Sequence, residues 1–427
     1  MTKEKVLMVT WAWYPSGGDW TYVQNVQRLY ESKGYEVIPF STINEKNVPT
    51  QGPAYFVESP DYKAINKNRS VANAWKVVKN AVVSGNAMDA VEKVLKEHKI
   101  SIAHLHNIHH HITPAIISRL KKAGVKILWS LHDYKIICPE SLFISHGKVC
   151  ERCMGGKFYN CAIHTCKKGS LGASILAMTE AYFYHKRGTY EQVDAYLCPS
   201  AFLRGKFLEF GFEPAKMFVS NLCYDISMVD NFIQQNKSRD DSFSNSTKGN
   251  DYILYVGRLE DVKGIRTLIH AVEGTPIALK IVGSGAAEDE FRNLVQGKNM
   301  KNVEFLGFRD KESVFRLTMN AKFVVVPSEW YENFPFSVIE SFLFSKPVIG
   351  SKMGGIPELV KHEETGLLFE AGNISDLRSK LLRLWNDDEK ILEWGRNART
   401  HVVNIVNFET HWQKLISIIN NIQHNGN

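Results

Sequence analysis

No apolar run in this chain of 427 residues reaches the ~18 residues that a membrane-spanning helix needs. The stretch from Lys5 to Tyr14 is short and strand-like, and it meets Pro15 and two glycines without the small-residue cleavage site of a secretory signal. Both absences point to a cytoplasmic protein, free or peripheral at the inner face of the membrane. No Asp-x-Asp pair occurs, which argues against a divalent cation bridging phosphates in catalysis. No internal repeat of fixed period is visible, so a solenoid or propeller is excluded. The charge imbalance is mild. Fifty-two Lys and Arg against 45 Asp and Glu leave +7, which suits an anionic ligand or an anionic membrane face. Basic residues scattered along the chain give little support to a zinc-dependent nucleic-acid-binding protein, which would cluster them and bind in a strongly salt-dependent way.

What is present reads as two α/β domains of about 200 residues each. The hydrophobic and charged fractions, 44% and 23%, are those of a globular chain. Strand-like runs alternate with helical patterns almost throughout, the pattern of parallel sheets covered by helices. Val6–Thr10, Glu36–Phe40, Ile102–Leu105 and Lys126–Leu131 read as strands of a first domain, with helices at Asp19–Ser32 and Pro114–Ala123. Serine, asparagine, aspartate and lysine then crowd residues 226–250, which reads as a linker or mobile loop. Strands resume at Tyr252–Val256, Ile277–Val282, Val303–Phe305, Phe323–Val326 and Pro347–Ile349. The expected division is 1–225, a linker at 226–250, and 251–407. A last helix in 408–427 is expected to pack back on the first domain.

Several strand ends carry chemistry. Tyr14-Pro15-Ser16-Gly17-Gly18 joins the first strand to its helix, and two adjacent glycines let backbone N–H groups approach a phosphate at a helix N-terminus. The alternative is a plain tight turn. Val256-Gly257-Arg258 and the following Lys263-Gly264 place a guanidinium and an ammonium at a strand's carboxyl end, where open α/β sheets bind ligands. Such a pair could neutralise a departing diphosphate, although most Lys and Arg are simply solvated. Gly283-Ser284-Gly285 ends the next strand. Pro327-Ser328-Glu329-Trp330-Tyr331-Glu332-Asn333-Phe334-Pro335 then leads into a helix that carries Glu340. A carboxylate there could accept both hydroxyls of a ribose. Gly354-Gly355-Ile356-Pro357-Glu358 makes a turn into a helix, functional or merely structural.

Taken in order, these motifs resemble the group 1 glycosyltransferases, the retaining family four with the GT-B fold, over nearly the whole chain. The resemblance implies two facing Rossmann-like domains with an interdomain cleft and a C-terminal helix crossing back to the first domain. The donor would sit mainly on the second domain and the acceptor mainly on the first. Arg258 and Lys263 would hold the diphosphate, Glu340 the ribose, and Glu332 the transferred sugar, with Gly283, Asn333, Phe334 and Pro335 around it. Gly17 and Gly18 would meet the phosphates on closure. Many relatives carry glycine where this chain has Asn333 and Pro335, so the sugar itself stays open. His132, at the end of Leu131-His132-Asp133, would contact the donor sugar in an orienting role. His106, Asn107 and Asp133 are the acceptor-side candidates. His104 and His106 share one face of their strand by the two-residue period.

Five of the seven cysteines lie between Cys138 and Cys166. Cys150, Cys153, Cys161 and Cys166, within an insert at 134–170, read as a structural zinc site, against idle reduced thiols as the alternative. The helical pattern from Leu171 to Val193 is basic and aromatic. It is either a core helix or a segment touching a membrane that holds a lipid-linked acceptor. The expected activity is therefore transfer of a sugar from a UDP- or GDP-sugar to a glycan or lipid-linked acceptor, with no catalytic cofactor. A non-hydrolysing sugar-nucleotide epimerase of the same fold is the main rival. A non-catalytic partner retaining only the fold is disfavoured by intact Arg258, Lys263, Glu332 and Glu340.

Overall fold

A computed structural model describes residues 4–59, 82–237 and 251–424. The chain divides into two compact units. The first comprises Met1–Phe143, Cys150–Cys223 and His411–Asn427; the second comprises Ile144–Val149 and Tyr224–Thr410.

The first unit is built on a parallel sheet of β1 (Lys5–Val9), β2 (Glu36–Thr42), β3 (Tyr55–Val57), β4 (Ile100–Leu105), β5 (Lys126–Ser130), β6 (Ala195–Cys198) and β7 (Met217–Val219). Their spatial order is β3-β2-β1-β4-β5-β6-β7. Val6, Leu7, Met8 and Val9 are fully buried, as a strand covered on both faces requires. The helix α1 (Gly18–Ser32) turns Trp20, Val23, Val26, Leu29 and Tyr30 inward at helical spacing. The strand order reverses at β1 and β4. Ligands bind beyond the carboxyl ends of strands at such a switch point. The residues just past these ends are tied together: His106 N–H donates to Val9 O at 2.9 Å and Trp11 N–H to Asn107 O at 2.8 Å.

The cysteine-bearing insert leads through the short helix α2 (Tyr159–Ile163) into α3 (Leu171–Lys186), which Ser170 caps by accepting from Ala173 N–H. The long helical pattern expected to Val193 stops at Lys186. Gly188 takes a φ of 60° and a single 3-10 turn, Tyr190–Gln192, follows.

The second unit holds a parallel sheet of β8 (Ile253–Val256), β9 (Leu279–Val282), β10 (Val303–Gly307), β11 (Val324–Val326), β12 (Val348–Ser351) and β13 (Gly366–Phe369), in the order β10-β9-β8-β11-β12-β13. The reversal lies between β8 and β11, so the loops after these two strands are the ones the fold offers to a ligand. The expected linker at 226–250 is corrected in its first half, where α4 (Ile226–Lys237) forms. Its polar composition hides an apolar face: Val229 and Phe232 are buried, and Phe232 meets the rings of Phe315 and Phe344 edge-on. The remainder, 238–250, lies outside the described residues. The helix α5 (Phe336–Leu343) follows β11, and α6 (Phe408–His424) is the last described element. Within the first unit, Trp412 packs edge-on against Tyr30 and Tyr35. No described helix is long and apolar enough to cross a membrane.

Candidate active site

In the second unit, the loops after β8 and β11 meet through one ion pair. Lys263 Nζ lies 2.7 Å from Glu332 Oε1. The same oxygen accepts from Ser328 Oγ at 2.6 Å and from Trp330 Nε1 at 2.8 Å. The Lys263 ammonium also sits 4.7 Å from the Trp330 ring centroid. Burial pushes the Glu332 carboxyl up, but Lys263 and the hydroxyl and indole donors outweigh it and hold the group below its usual range. Glu332 is thus an ionised, buried carboxylate with a fixed cation beside it.

Glycines set this geometry. A Cβ on Gly264 would stand 1.9 Å from Pro327 O, and the residue takes a φ of 70° where the Lys263 turn ends. Gly354 packs its α-carbon against the Glu332 backbone, where a Cβ would stand 2.1 Å from Glu332 O. Its neighbour Gly355 donates its N–H to that carbonyl at 2.7 Å. The glycine-rich turn before Pro357 therefore holds the Glu332 loop from behind, which is a structural role. A Cβ on Gly283 would stand 1.8 Å from Gly257 O and one on Gly285 2.3 Å from Leu259 O, so both glycines shape the Arg258 loop.

Arg258 is exposed at the loop surface, 2.9 Å from Glu260. Asn333 and Pro335 are half-buried and Phe334 is buried, and Pro335 immediately precedes α5. Glu340, one turn into α5, accepts from Tyr224 OH at 3.1 Å and pairs with Lys311 through the same oxygen. Composition and spacing do not single out Ser328 and Trp330 as partners of Glu332, or Tyr224 and Lys311 as partners of Glu340. Ser328 and Trp330 lie within the Pro327–Pro335 motif. Tyr224 and Lys311 lie 116 and 29 residues from Glu340, and nothing local signals them.

In the first unit, a histidine array lies past β1, β4 and β5. His106 Nδ1 is 3.0 Å from His132 Nε2, and His132 Nδ1 is 3.4 Å from Asp19 Oδ1. Asn107 Nδ2 donates to the other Asp19 oxygen at 2.5 Å. His104 stacks on His106 with ring centroids 4.6 Å apart, as their shared strand face requires. His104 Nε2 lies 2.8 Å from Ser130 Oγ, and Tyr30 OH lies 3.3 Å from its Nδ1. Burial, reinforced by neighbouring histidines, lowers His104 to about 3 and His106 well below the ordinary imidazole value. His106 Nε2 is buried without a hydrogen-bond partner. Asp133 turns toward its own chain and accepts from Lys135 N–H at 2.8 Å; burial raises its carboxyl above the usual range. Gly17 and Gly18 are exposed, with Gly17 at φ 128°, just before α1. Three of the acceptor- and donor-side candidates, His106, Asn107 and His132, are thus joined through Asp19, which no motif in the sequence marks. Its one signal is position: it is the acidic residue in the first turn of α1.

Among the described residues, no group of three or more His, Cys, Asp or Glu is arranged to hold a metal. Cys153 and Cys161 are buried in a small apolar cluster with Phe158, Ala177 and Ala181, Cys166 packs against it, and the thiols of Cys138 and Cys150 also lie near Cys153. All seven cysteines are free thiols.

Comparisons with known proteins agree with this layout. Residues 236–401 match the profile of the family described as Glycosyl transferases group 1. An uncharacterized glycosyltransferase of Methanocaldococcus jannaschii is 34% identical over 34% of this chain and 41% of its own length. The D-rhamnosyltransferase WbpZ of Pseudomonas aeruginosa is 32% identical over 35% of this chain and 40% of its own. The O-antigen chain mannosyltransferase C of Escherichia coli is 28% identical over 36% and 42%. The match thus spans about two fifths of each of these curated relatives. Among solved structures, sucrose-phosphate synthase from Thermosynechococcus elongatus superposes with a TM-score of 0.72, at 18% identity over 99% of this chain and all of that one. Anabaena HepE in complex with UDP gives 0.66 at 16% identity over 98% and 100%. At such identities the likeness is one of fold. The sheets and their switch points are those of the GT-B fold, and residues 236–401 of the chain are similar to the group 1 glycosyltransferases.

Proposed function

We propose that the protein is a retaining glycosyltransferase, moving a sugar from a UDP- or GDP-sugar to a glycan or lipid-linked acceptor in cell-surface polysaccharide synthesis, at the cytoplasmic side of the membrane. The observation that carries this reading is the Lys263–Glu332 pair at the β8/β11 switch point, inside the stretch that matches the family. Relatives named for rhamnosyl and mannosyl transfer, and HepE solved with UDP-glucose, support the sugar-nucleotide donor.

The chemistry follows from the residues. A departing nucleoside diphosphate accumulates negative charge in the transition state, and a cation already held in place stabilises it without reorganisation. Lys263 is such a cation, fixed by Glu332 and Trp330. Arg258, at the loop surface, adds a second through its guanidinium fork. Glu332 remains ionised and accepts hydroxyls of the transferred sugar. Glu340, oriented by Tyr224 and Lys311, accepts the ribose hydroxyls. His132, braced by Asp19 and His106, orients the sugar, and His106, Asn107 and Asp133 serve the acceptor. The acceptor's proton passes to the departing phosphate in a front-face displacement that retains anomeric configuration.

A thermal-shift panel of UDP, GDP and their sugars tests the donor reading, because a ligand that binds only the native state raises the melting point. One nucleotide series should stabilise the protein and Lys263→Ala should abolish the shift. If no nucleotide shifts the native protein, the reading fails. Product analysis separates it from an epimerase, whose product would remain a nucleotide sugar.

A further inference from the structure

The basic residues are scattered over the chain as a whole, but one segment of the first unit is rich in exposed ones. Residues 150–187 carry six Lys or Arg and two Glu, a net +4 against +7 for all 427 residues. Arg152, Lys157, Lys168, Lys186 and Arg187 are exposed. Neither acid offsets them. Glu180 is 2% exposed and bonded to Lys135 at 3.0 Å, and Glu151 is half-buried beside Lys206 at 3.0 Å.

Exposed apolar side chains fall in the same segment. Nine large hydrophobic residues are exposed among the described residues, and four of them fall within residues 159–175: Tyr159 at 47%, Ile163 at 66%, Leu171 at 55% and Ile175 at 44%. They form two i,i+4 pairs, so each pair lies on one helix face, Tyr159 and Ile163 on α2 and Leu171 and Ile175 on α3. The opposite faces are already satisfied. Cys161 of α2 and Ala177 and Ala181 of α3 close a common small core with Phe158. Tyr182 fastens the helices, accepting from Tyr159 N–H at 3.3 Å and meeting Phe158 edge-on. The outward apolar stripes therefore have no role in holding the insert together.

We infer that this face of α2 and α3, with Tyr159, Ile163, Leu171 and Ile175 as apolar anchors among exposed Lys and Arg, docks the protein on an anionic membrane surface. Charge selects this occupant. Apolar side chains enter the headgroup boundary while a rim of lysine and arginine meets anionic lipid, and neither signal alone gives firm attachment. A neutral protein partner would leave five exposed cations unmatched. The inference deepens the lipid-linked acceptor reading by naming the surface that brings the protein to its acceptor, and it draws nothing from the donor chemistry.

Co-sedimentation of the full chain with vesicles tests it. The chain should pellet with vesicles of phosphatidylcholine containing phosphatidylglycerol and stay in solution with phosphatidylcholine alone. Raising salt should weaken the interaction. Lys157→Ala and Lys168→Ala should each weaken it about fivefold, the weight of one cation near an anionic surface. Ile163→Ser combined with Leu171→Ser should abolish it. All four side chains are exposed, so melting point and nucleotide-induced shift should stay at wild-type values, which separates failure here from failure of the donor reading. Equal pelleting with neutral vesicles, or wild-type binding by both the charge and apolar variants, overturns the inference. So does a dimer in light scattering that the Ile163→Ser, Leu171→Ser variant dissolves, since the face would then belong to a second copy.

Discussion

Lys263 Nζ and Glu332 Oε1 stand 2.7 Å apart, with side chains only 17% and 9% exposed. Removing one member of a largely buried pair leaves the other charge unmatched, at a cost of about 3–5 kcal/mol. Lys263→Ala should therefore lower stability as well as donor affinity. Glu332→Gln keeps the shape and loses the charge. It leaves the Lys263 ammonium unmatched, so it should also lose stability, and it should lower kcat by about 10²-fold, the scale of one transition-state contact. Urea melts and steady-state rates on the two variants check this.

The same pair sets an acid limit. The folded Glu332 carboxyl lies below its ordinary value of 4.5, so its share of stability is full above about pH 4.5 and is lost as pH falls through the lower, folded value. Urea melts in that acid range should fall more steeply for the wild type than for Glu332→Gln. Parallel curves would show that the carboxylate does not titrate as its surroundings require.

Gly354 backs the Glu332 loop. It takes a φ of 59° and leaves no room for a Cβ, which would press on Glu332 O. Gly354→Ala should cost about 1–3 kcal/mol through backbone strain alone. It should also displace Glu332 and reduce kcat. Gly17→Ala is the control. That residue also has a positive φ, but nothing stands within 4 Å of the added methyl. Its variant should show the strain without loss of the Glu332 contacts, read as an intact response of melting point to acid.

These contacts mark the limit of what the sequence could convey. Parallel sheets were legible because buried strands such as Val6–Val9 and Val324–Val326 are continuous apolar runs next to glycine turns. The positions of Arg258, Lys263, Glu332 and Glu340 followed from motif order. The partners did not. Tyr224 reaches Glu340, and Asp19 reaches His132, only because the fold closes more than a hundred residues between them. The segment 226–237 misled for the opposite reason. Its polar residues outnumber Val229 and Phe232, yet those two suffice to seat a helix.

The buried histidines of the first unit make stability depend on pH from another direction. His104 is lowered to about 3 and His411 to about 4, both first by burial. An unfolded chain binds protons at these positions near pH 6.5, while the folded chain keeps them neutral. Their stabilising contribution is complete above about pH 6.5 and falls as pH drops toward 4, by up to about 1.4 kcal/mol per pH unit for each histidine. Unfolding free energies between pH 4 and 7 should show that slope, and His411→Asn should make it shallower.

Asp19 has no place in the fold's core; its side chain is half exposed. What it does is occupy both Asn107 and His132, the latter at Nδ1, while His106 faces the other ring nitrogen. An imidazole held at both nitrogens is restrained from turning, so a carboxylate at this position fixes which way the His132 ring faces. Asp19→Ala should release the ring, lowering kcat by about tenfold through misorientation while KM for the donor changes little. Asp19→Asn retains an oxygen that can accept from Nδ1 and should recover most of that loss. Melting points of both variants should stay close to wild type, because an exposed side chain contributes little to folding. Equal activity for Asp19→Ala and wild type would leave His132 oriented by His106 alone.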